Sequence, residues 1–160
     1  MYRGRSRNAE QRWELLPVLA VSPANAVEFA TAAGTGLRLC TEHEWERAAR
    51  GVDGRTYSTG NAPPGPDEAN FDWTYGRNSD AYGPDEVGRH LGSESPFDLH
   101  DVEGNVLEIV RSARPGGPIE KGGSWYFDVN FSGRLARHGA LDVNTRTTFL
   151  GLRWCRDVNQ

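Results

Sequence analysis

The chain has 160 residues and a mass of 17.7 kDa, enough for one domain with its own hydrophobic core. Its mean hydropathy is -0.65, and no apolar stretch approaches the roughly 18 residues of a membrane-spanning helix, which excludes a membrane span. A net charge of -4 argues against nucleic-acid binding, and we interpret the basic cluster of Arg3, Arg5, Arg7 and Arg12 as a solvated tail.

Glycine, proline and cysteine usage narrows the class of protein further. The 19 glycines, 9 prolines and 5 tryptophans are typical of an irregular α+β fold with many turns. Cys40 and Cys155 could form one disulfide, but we expect two buried free thiols in a reducing cytoplasm. No apolar run follows the basic start, so we predict no signal peptide and favour a cytoplasmic location.

The first predicted elements are a lead-in, a strand and a helix. We expect residues 1–16 to be an N-terminal lead-in that could be flexible, followed by a single domain over residues 17–160. Residues 17–21 favour a short strand. Ser22 and Pro23 are typical of a helix start, and Gly34 of its end, which predicts a helix near 22–33. Its apolar stripe would be Ala26, Val27, Phe29, Ala30 and Ala33.

A second helix and a long coil follow. Thr41 and Glu44 form a capping-box pattern that predicts a helix near 41–50, with Trp45, Ala48 and Ala49 facing the core. Residues 54–96 are turn-rich and lack periodicity, and a coil of this length usually needs a function or an organising ion. The tail predicts short strands around 119–125, 133–137 and 149–155.

Four short motifs together resemble one known family. They are Arg38-Leu-Cys-Thr-Glu-His-Glu-Trp-Glu-Arg-Ala-Ala-Arg-Gly51, Asp98-Leu-His-Asp-Val-Glu-Gly-Asn-Val-Leu-Glu108, Gly122-Gly-Ser-Trp125 and Gly151-Leu-Arg153. In this order the motifs resemble those of the formylglycine-generating enzyme (sulfatase-modifying factor) family. The resemblance implies a C-type-lectin-like α+β fold with two helices, small twisted antiparallel sheets and extensive ordered coil.

The resemblance also implies two calcium sites with oxygen ligands, the kind that calcium prefers. At the first site, Asn70 and Asp80 would contribute side chains, and Phe71 and Tyr82 would contribute carbonyls. At the second site, Asp101 and Glu108 would supply charge, while Gly104 and Val106 would offer carbonyls. The alternative is that these residues form turns or stay solvated without an ion.

The family's oxidase chemistry needs two thiols after the Gly-Gly-Ser-Trp motif, and this chain has none there. Ser132 and Leu135 stand about where the thiols would be, and neither can replace a soft thiolate ligand. We therefore predict a protein that is not an enzyme. One alternative is a divergent oxidase or other modifying enzyme that would use Cys155, and another is a carbohydrate-binding domain, which rests on fold analogy alone.

The segment 126–150 is the predicted binding surface for a protein or other macromolecular ligand. Its candidate contact residues are Tyr126, Phe127, Asp128, Asn130, Phe131, His138, Asp142, Asn144, Arg146 and Phe149. We expect about half of them to be buried, and Trp125, Arg137, Gly151 and Arg153 to anchor the packing beneath.

One subset of the resembled family consists of variable proteins diversified by retroelements, mostly at asparagine codons. Such mutagenesis cannot produce Lys, Glu, Gln, Met or Trp from that codon, and residues 126–150 contain none of these five types. A retroelement-diversified variable protein is therefore one hypothesis, with ordinary family divergence as its alternative.

Overall fold

The computed structural model describes residues 11–76, 78–132, 135 and 137–158. Two helices occupy the first third of these residues, α1 over Pro23–Ala33 and α2 over Glu42–Arg50. A single-turn helix, α3, covers Val129–Ser132, and 3-10 turns cover Trp13–Leu15, Ser79–Ala81 and Leu91–Ser93. Residues 1–10 of the predicted lead-in, including Arg3, Arg5 and Arg7, lie outside the described residues.

Local hydrogen bonds set the ends of both longer helices where the sequence predicts them. The Ser22 hydroxyl accepts from the amide of Asn25, and Gly34 ends α1 in the left-handed conformation that glycine adopts without strain. At α2, Thr41 accepts from the Glu44 amide, while the Glu44 carboxylate accepts from the Thr41 amide. The predicted capping box is confirmed, because two otherwise unpaired amides are satisfied reciprocally.

The strands are short and form two sheets. Strands β1 (Leu37–Leu39) and β6 (Trp154–Arg156) pair antiparallel. The second sheet has the order β4–β3–β2–β5, with β2 at Leu107–Arg111, β3 at Pro118–Lys121, β4 at Arg137–Ala140 and β5 at Leu150–Leu152. Strand β2 runs antiparallel to β3 and parallel to β5. The motif at residues 98–108 therefore leads into a strand that pairs with β5, near the end of the chain.

The core lies between α2 and the larger sheet. Its main cluster consists of Cys40, Trp45, Ala49, Val102, Val110, Ile119 and Leu135. A second buried cluster, Leu107, Ile109 and Leu150, lies where β2 meets β5. Trp45 and Ala49 face the core as predicted, and Ala48 is half-buried.

Two expectations about local structure are wrong, the strand at residues 17–21 and part of the apolar stripe of α1. Residues 17–21 form no strand, because Ala20 has a φ of 57° and its amide bonds to the carbonyls of Thr147 and Leu150. Helix α1 packs through Ala26 and Ala30, and it leaves Val27 and Phe29 more than half exposed. Ala33 is exposed as well.

The two cysteines form a disulfide and are not free thiols. Cys40 follows β1 and Cys155 lies in β6, and the bond joins these positions across a Cα–Cα distance of 4.9 Å. The pairing of β1 with β6 places Arg38 opposite Cys155, which brings the two sulfurs within reach. The cytoplasmic location stays a prediction, and free thiols no longer support it.

Candidate functional site

A buried ionic cluster connects α2, β2 and the segment between β5 and β6 beneath the candidate surface. We call these connected elements, together with the Cys40–Cys155 disulfide, the frame. The Glu108 carboxylate on β2 accepts from Nε1 of Trp45 at 2.6 Å and from Nη2 of Arg153 at 2.8 Å. Arg153 also donates to the carbonyl of His100 at 2.8 Å. Three of the four family motifs therefore meet at one carboxylate, and the predicted anchoring role of Arg153 has this contact as its physical basis.

The Gly-Gly-Ser-Trp segment leads from β3 into the candidate surface. Gly122 has a φ of 80°, and a Cβ there would lie 2.7 Å from the carbonyl of Val102, so only glycine fits without displacement. Ser124 and Trp125 are buried, and the Trp125 amide donates to the Asn105 carbonyl at 3.0 Å. The segment thus fixes the position at which the candidate surface begins.

An aromatic cluster forms the base of this surface. The Tyr126 ring stacks on Phe149 at 5.2 Å and meets Phe127 edge-on at 5.2 Å. Tyr82 packs edge-on against both Trp125 and Tyr126. Tyr126 is 49% exposed, while Phe127 and Phe149 are half-buried against the Leu107–Ile109–Leu150 cluster. The cluster therefore joins the buried core to an open surface.

The polar candidates lie at the margins of the aromatic cluster. Asn130, Asp142, Asn144 and Arg146 are exposed, and Asp128 is half-buried. The expectation that about half of the candidates are buried is therefore wrong for the side chains that the structure describes. The side chains of Asp128 and Asp142 each accept from the amide two residues ahead, which fixes local turns. Arg146 donates to the side chain of Asn25 at the start of α1. The side chains of Phe131, His138 and Arg137 lie outside the described residues.

The first set of calcium candidates surrounds a small cleft. Asn70, Phe71 and Tyr82 line it together with Asn78 and Gly83. Asn70 is buried, and its side-chain amide donates to the Gly83 carbonyl at 2.9 Å. Asp80 is exposed in the neighbouring 3-10 turn. The structure thus brings Asn70, Phe71 and Tyr82 to one polar cleft, with Asp80 in the adjoining turn.

The second set of calcium candidates is already engaged in protein contacts. Glu108 is bound by Arg153 and Trp45, and a divalent cation beside Arg153 would meet a like charge. Asp101 accepts from the Gly88 amide at 2.6 Å, and burial raises the pKa of its carboxyl despite that hydrogen bond. Gly104 and Val106 are buried on either side of Asn105. These contacts favour the first site over the second.

A buried polar network orders part of the long coil. His90 Nε2 lies 2.8 Å from Oδ2 of Asp85, which also accepts from the Tyr75 hydroxyl at 2.8 Å. The side chain of Asn105 accepts from the Asp85 amide at 2.8 Å and donates to its carbonyl at 3.2 Å. Side chains from four separate positions thus supply the order for which the sequence suggested an ion. Sequence spacing carried no signal for it, because the hydrogen-bonded partners are up to 20 residues apart.

Two further features escaped the sequence analysis. Glu103 is buried and accepts from the amide and hydroxyl of Ser58, and burial raises its pKa to about 7. Trp73 is 57% exposed and lines a small cleft together with Phe71 and Val129. An isolated tryptophan in an aperiodic coil gave no indication of this placement.

Two classes of site are absent from the described ranges. The described ranges contain no group of three or more His, Cys, Asp or Glu side chains arranged to hold a metal ion. Over the same part of the chain, no helix is both long and apolar enough to cross a membrane. Ligand sets dominated by carbonyl and amide oxygens, such as the first calcium candidate, are of a different kind and stay a prediction.

Solved structures share this fold. Treponema denticola variable protein 1 matches with a TM-score of 0.71 at 19% identity, covering 93% of this chain and 74% of that one. CarF matches with a TM-score of 0.65 at 23% identity, over 91% of this chain and 69% of that one. PvdO from Pseudomonas aeruginosa matches with a TM-score of 0.65 at 20% identity, over 88% and 61%. At these identities the likeness concerns the fold alone.

The sequence itself matches one family over nearly its whole length. No curated protein matches it. The profile of the sulfatase-modifying factor enzyme 1-like domain matches residues 2–158. The predicted α+β, C-type-lectin-like fold is confirmed, with α1 and α2 as its two helices and small sheets beside extensive coil. The chain belongs to the sulfatase-modifying factor enzyme 1-like domain family.

Proposed function

We propose that this protein is a non-catalytic recognition domain that presents residues 126–150 to a protein or other macromolecular ligand. The observation that carries the proposal is the aromatic cluster on its buried base. Tyr126 exposes about half of its ring, while its neighbour Trp125 is buried and fixed by the Asn105 carbonyl. Rigid aromatic groups flanked by adaptable polar side chains suit recognition, because few rotamers are lost on binding.

The polar margin supports the same role. None of the eight candidate residues with described side chains is fully buried, and five of them are exposed. Asp128 and Asp142 bond within their own turns, so changes at Asn130 or Asn144 need not disturb the core. The likeness of fold to a protein called a variable protein is consistent with a changeable surface here.

The bonding of both cysteines in one disulfide supports the proposal that the protein is not an enzyme. Residues 126–150 contain no thiol, and Cys155 is bonded to Cys40. A modifying enzyme that uses Cys155, the alternative hypothesis, would need this disulfide to be reduced before the thiolate could react. Incubation with a cysteine-containing sulfatase peptide and copper, followed by mass spectrometry, tests the point. We expect no aldehyde product, and turnover would overturn the proposal.

The recognition role is tested by changing the surface and keeping the frame. A displayed library randomised at Tyr126, Asn130, Asp142, Asn144 and Arg146 would be selected against hen egg-white lysozyme as an arbitrary folded target. We expect selected binders to keep the melting temperature of the parent within a few degrees. A matched library randomised at Trp45, Glu108 and Arg153 should yield few folded members. Equal tolerance in the two libraries would contradict the proposed division of roles.

Diversification by a retroelement is a narrower form of the same proposal. The absence of five residue types from residues 126–150 supports it. Genomic sequence around the gene provides the test. A near-identical template repeat beside a reverse transcriptase is the expected finding, and a locus without either would leave ordinary divergence as the explanation.

We also propose that calcium binds at the cleft formed by Asn70, Phe71 and Tyr82, with Asp80 supplying charge. Amide and carbonyl oxygens beside one carboxylate are ligands that calcium accepts. Chelation should lower the melting temperature of the wild type and leave Asp80→Ala unchanged. Glu94→Ala, which removes an exposed carboxylate elsewhere, is the matched control and should respond like the wild type. No shift in the wild type would exclude the site.

A further inference from the structure

A large groove outside the aromatic surface has no part in the function proposed above. It has a volume of about 890 Å³ and lies between α1, β1 and the turn that joins β2 to β3. Small-molecule sites generally have volumes of about 300–1,000 Å³ and mostly apolar walls with a few polar groups. The size of the groove therefore suits a small molecule.

The walls of the groove are mainly apolar. Helix α1 contributes Ala24 and Val27, β1 contributes Leu37 and Leu39, and the tail contributes Val143. Val27 is 54% exposed and Val143 is 49% exposed, although aliphatic side chains gain stability from leaving water. An apolar ligand seated here would cover both side chains, which the fold itself leaves open.

The charges on the walls are unevenly paired. Arg38 is held by Glu44 at 2.7 Å and by Asp157 at 2.6 Å. In contrast, neither Arg111 nor Arg114 forms an ion pair with a carboxylate among the residues that the structure describes. Asp157 is close enough to Arg111 for the arginine's charge to lower the carboxyl's pKa, but that carboxylate is bound by Arg38. Glu28 on α1 is the acidic residue of the lining. The β2–β3 side of the groove thus carries two guanidinium groups that could receive an anion.

We propose that this groove binds a small apolar molecule with a carboxylate group, of the class of medium-chain fatty acids. The hydrocarbon part contacts α1 and β1, and the carboxylate meets Arg111 and Arg114. The site is separate from the recognition role proposed for the aromatic surface, although Val143 belongs to the segment 126–150. Its test measures ligand binding without any macromolecular partner, so either proposal can fail alone.

The experiment is calorimetric titration of the whole chain with decanoate below its micellar concentration. Decyltrimethylammonium, with the same tail and the opposite charge, is the matched ligand. We expect saturable decanoate binding and no comparable binding of the cation. Absence of saturable binding, or equal affinity for the two ligands, would overturn the proposal.

Two pairs of variants locate the site. Ala24→Phe fills the groove from an exposed position of α1, and Ala32→Phe adds the same ring at an exposed position outside the lining. Arg111→Gln with Arg114→Gln removes the two charges, and Arg89→Gln with Arg156→Gln makes the same change in net charge elsewhere. The groove variants should weaken decanoate binding by about tenfold, as expected from the loss of charge-assisted contacts or of the space itself.

Three results would contradict the assignment. Equal affinity for decanoate in the groove variants and their controls would show that the ligand binds at another site. Undiminished decanoate affinity in the variant that combines Arg111→Gln and Arg114→Gln would show that these arginines do not bind the carboxylate. A dimer in sedimentation that Ala24→Phe dissociates would assign the groove to a second copy of the chain and would likewise overturn the proposal.

Discussion

The buried frame and the surface of residues 126–150 satisfy their polar groups in opposite ways. In the frame, Glu108 is bound by Trp45 and Arg153, which come from distant parts of the sequence. At the surface, Asp128 and Asp142 bond to amides two residues away. A substitution in the frame therefore breaks contacts between elements, whereas one at Asp128 or Asp142 disturbs a single turn. The recognition role that we propose depends on this difference, because a changeable segment needs a scaffold that its substitutions leave intact.

The largest expected effect concerns the disulfide, the covalent part of the frame. Cys40→Ala with Cys155→Ala should lower the free energy of unfolding by about 4 kcal/mol, because the bond closes a loop of more than a hundred residues in the unfolded chain. Urea unfolding measures the change. Dithiothreitol should destabilise the wild type to a similar degree and leave the double variant unaffected. Insensitivity of the wild type to reductant would contradict the prediction.

The ionic cluster should give the next largest effect. Glu108→Ala leaves the charge of Arg153 and the indole N–H of Trp45 without their carboxylate, and we expect a loss of about 3 kcal/mol in the free energy of unfolding. Asp142→Ala, the control at the surface, should change that quantity by less than about 0.5 kcal/mol. Similar losses at the two positions would remove the distinction between frame and surface.

A pH dependence should follow from the buried carboxyl of Glu103. Burial raises its pKa to about 7 in the folded protein, from an ordinary value of 4.5. Well below pH 4.5 the group is protonated in both states, and as the pH rises toward 7 the unfolded state loses its proton first. The folded protein should therefore become less stable across this range, by about 2 kcal/mol between pH 5 and pH 8.

The Glu103→Gln variant isolates this contribution. Its amide can keep both contacts with Ser58, and its unfolding free energy should fall less between pH 5 and pH 8 than that of the wild type. Glu28→Gln, at an exposed position, should retain the pH dependence of the wild type. Parallel pH profiles for the wild type and Glu103→Gln would show that Glu103 does not titrate in this range.

The smallest effect is expected at the centre of the surface. Tyr126→Ala removes ring contacts with Phe127 and Phe149, yet half of that ring is already in water. We expect a loss of about 1 kcal/mol or less in the free energy of unfolding, measured by urea titration. Trp125→Ala is the buried neighbour for comparison and should cost about 3 kcal/mol.

The sequence predicted those parts of the fold that depend on local hydrogen bonds. The caps at Ser22 and Thr41 involve partners three residues away, so their pattern is visible in the chain. The pairing of Cys40 with Cys155 depends on β1 meeting β6, and no local spacing encodes it. The apolar stripe of α1 failed at Phe29 because that ring stacks on Trp154 at the surface, 5.8 Å away.

The candidate site was predictable to a similar extent. The motif Gly-Gly-Ser-Trp indicated where the surface begins, and the segment after it supplies the exposed side chains. The partnership of Trp45, Glu108 and Arg153 could not be derived from spacing, since Trp45 lies on α2, Glu108 on β2 and Arg153 between β5 and β6. The same limit applied to the groove, which exists only once α1 lies beside β1 and the β2–β3 turn.

The sulfur bridge between β1 and β6 has a consequence for proteolysis. Cys40 precedes α2 and Cys155 lies in β6, so the long coil is inside the covalent ring that the bridge closes. A protease that cuts the coil once would leave two pieces tethered to each other. They should migrate as one band without reductant and separate with it, so that a nicked molecule could keep its exposed aromatic rings in place.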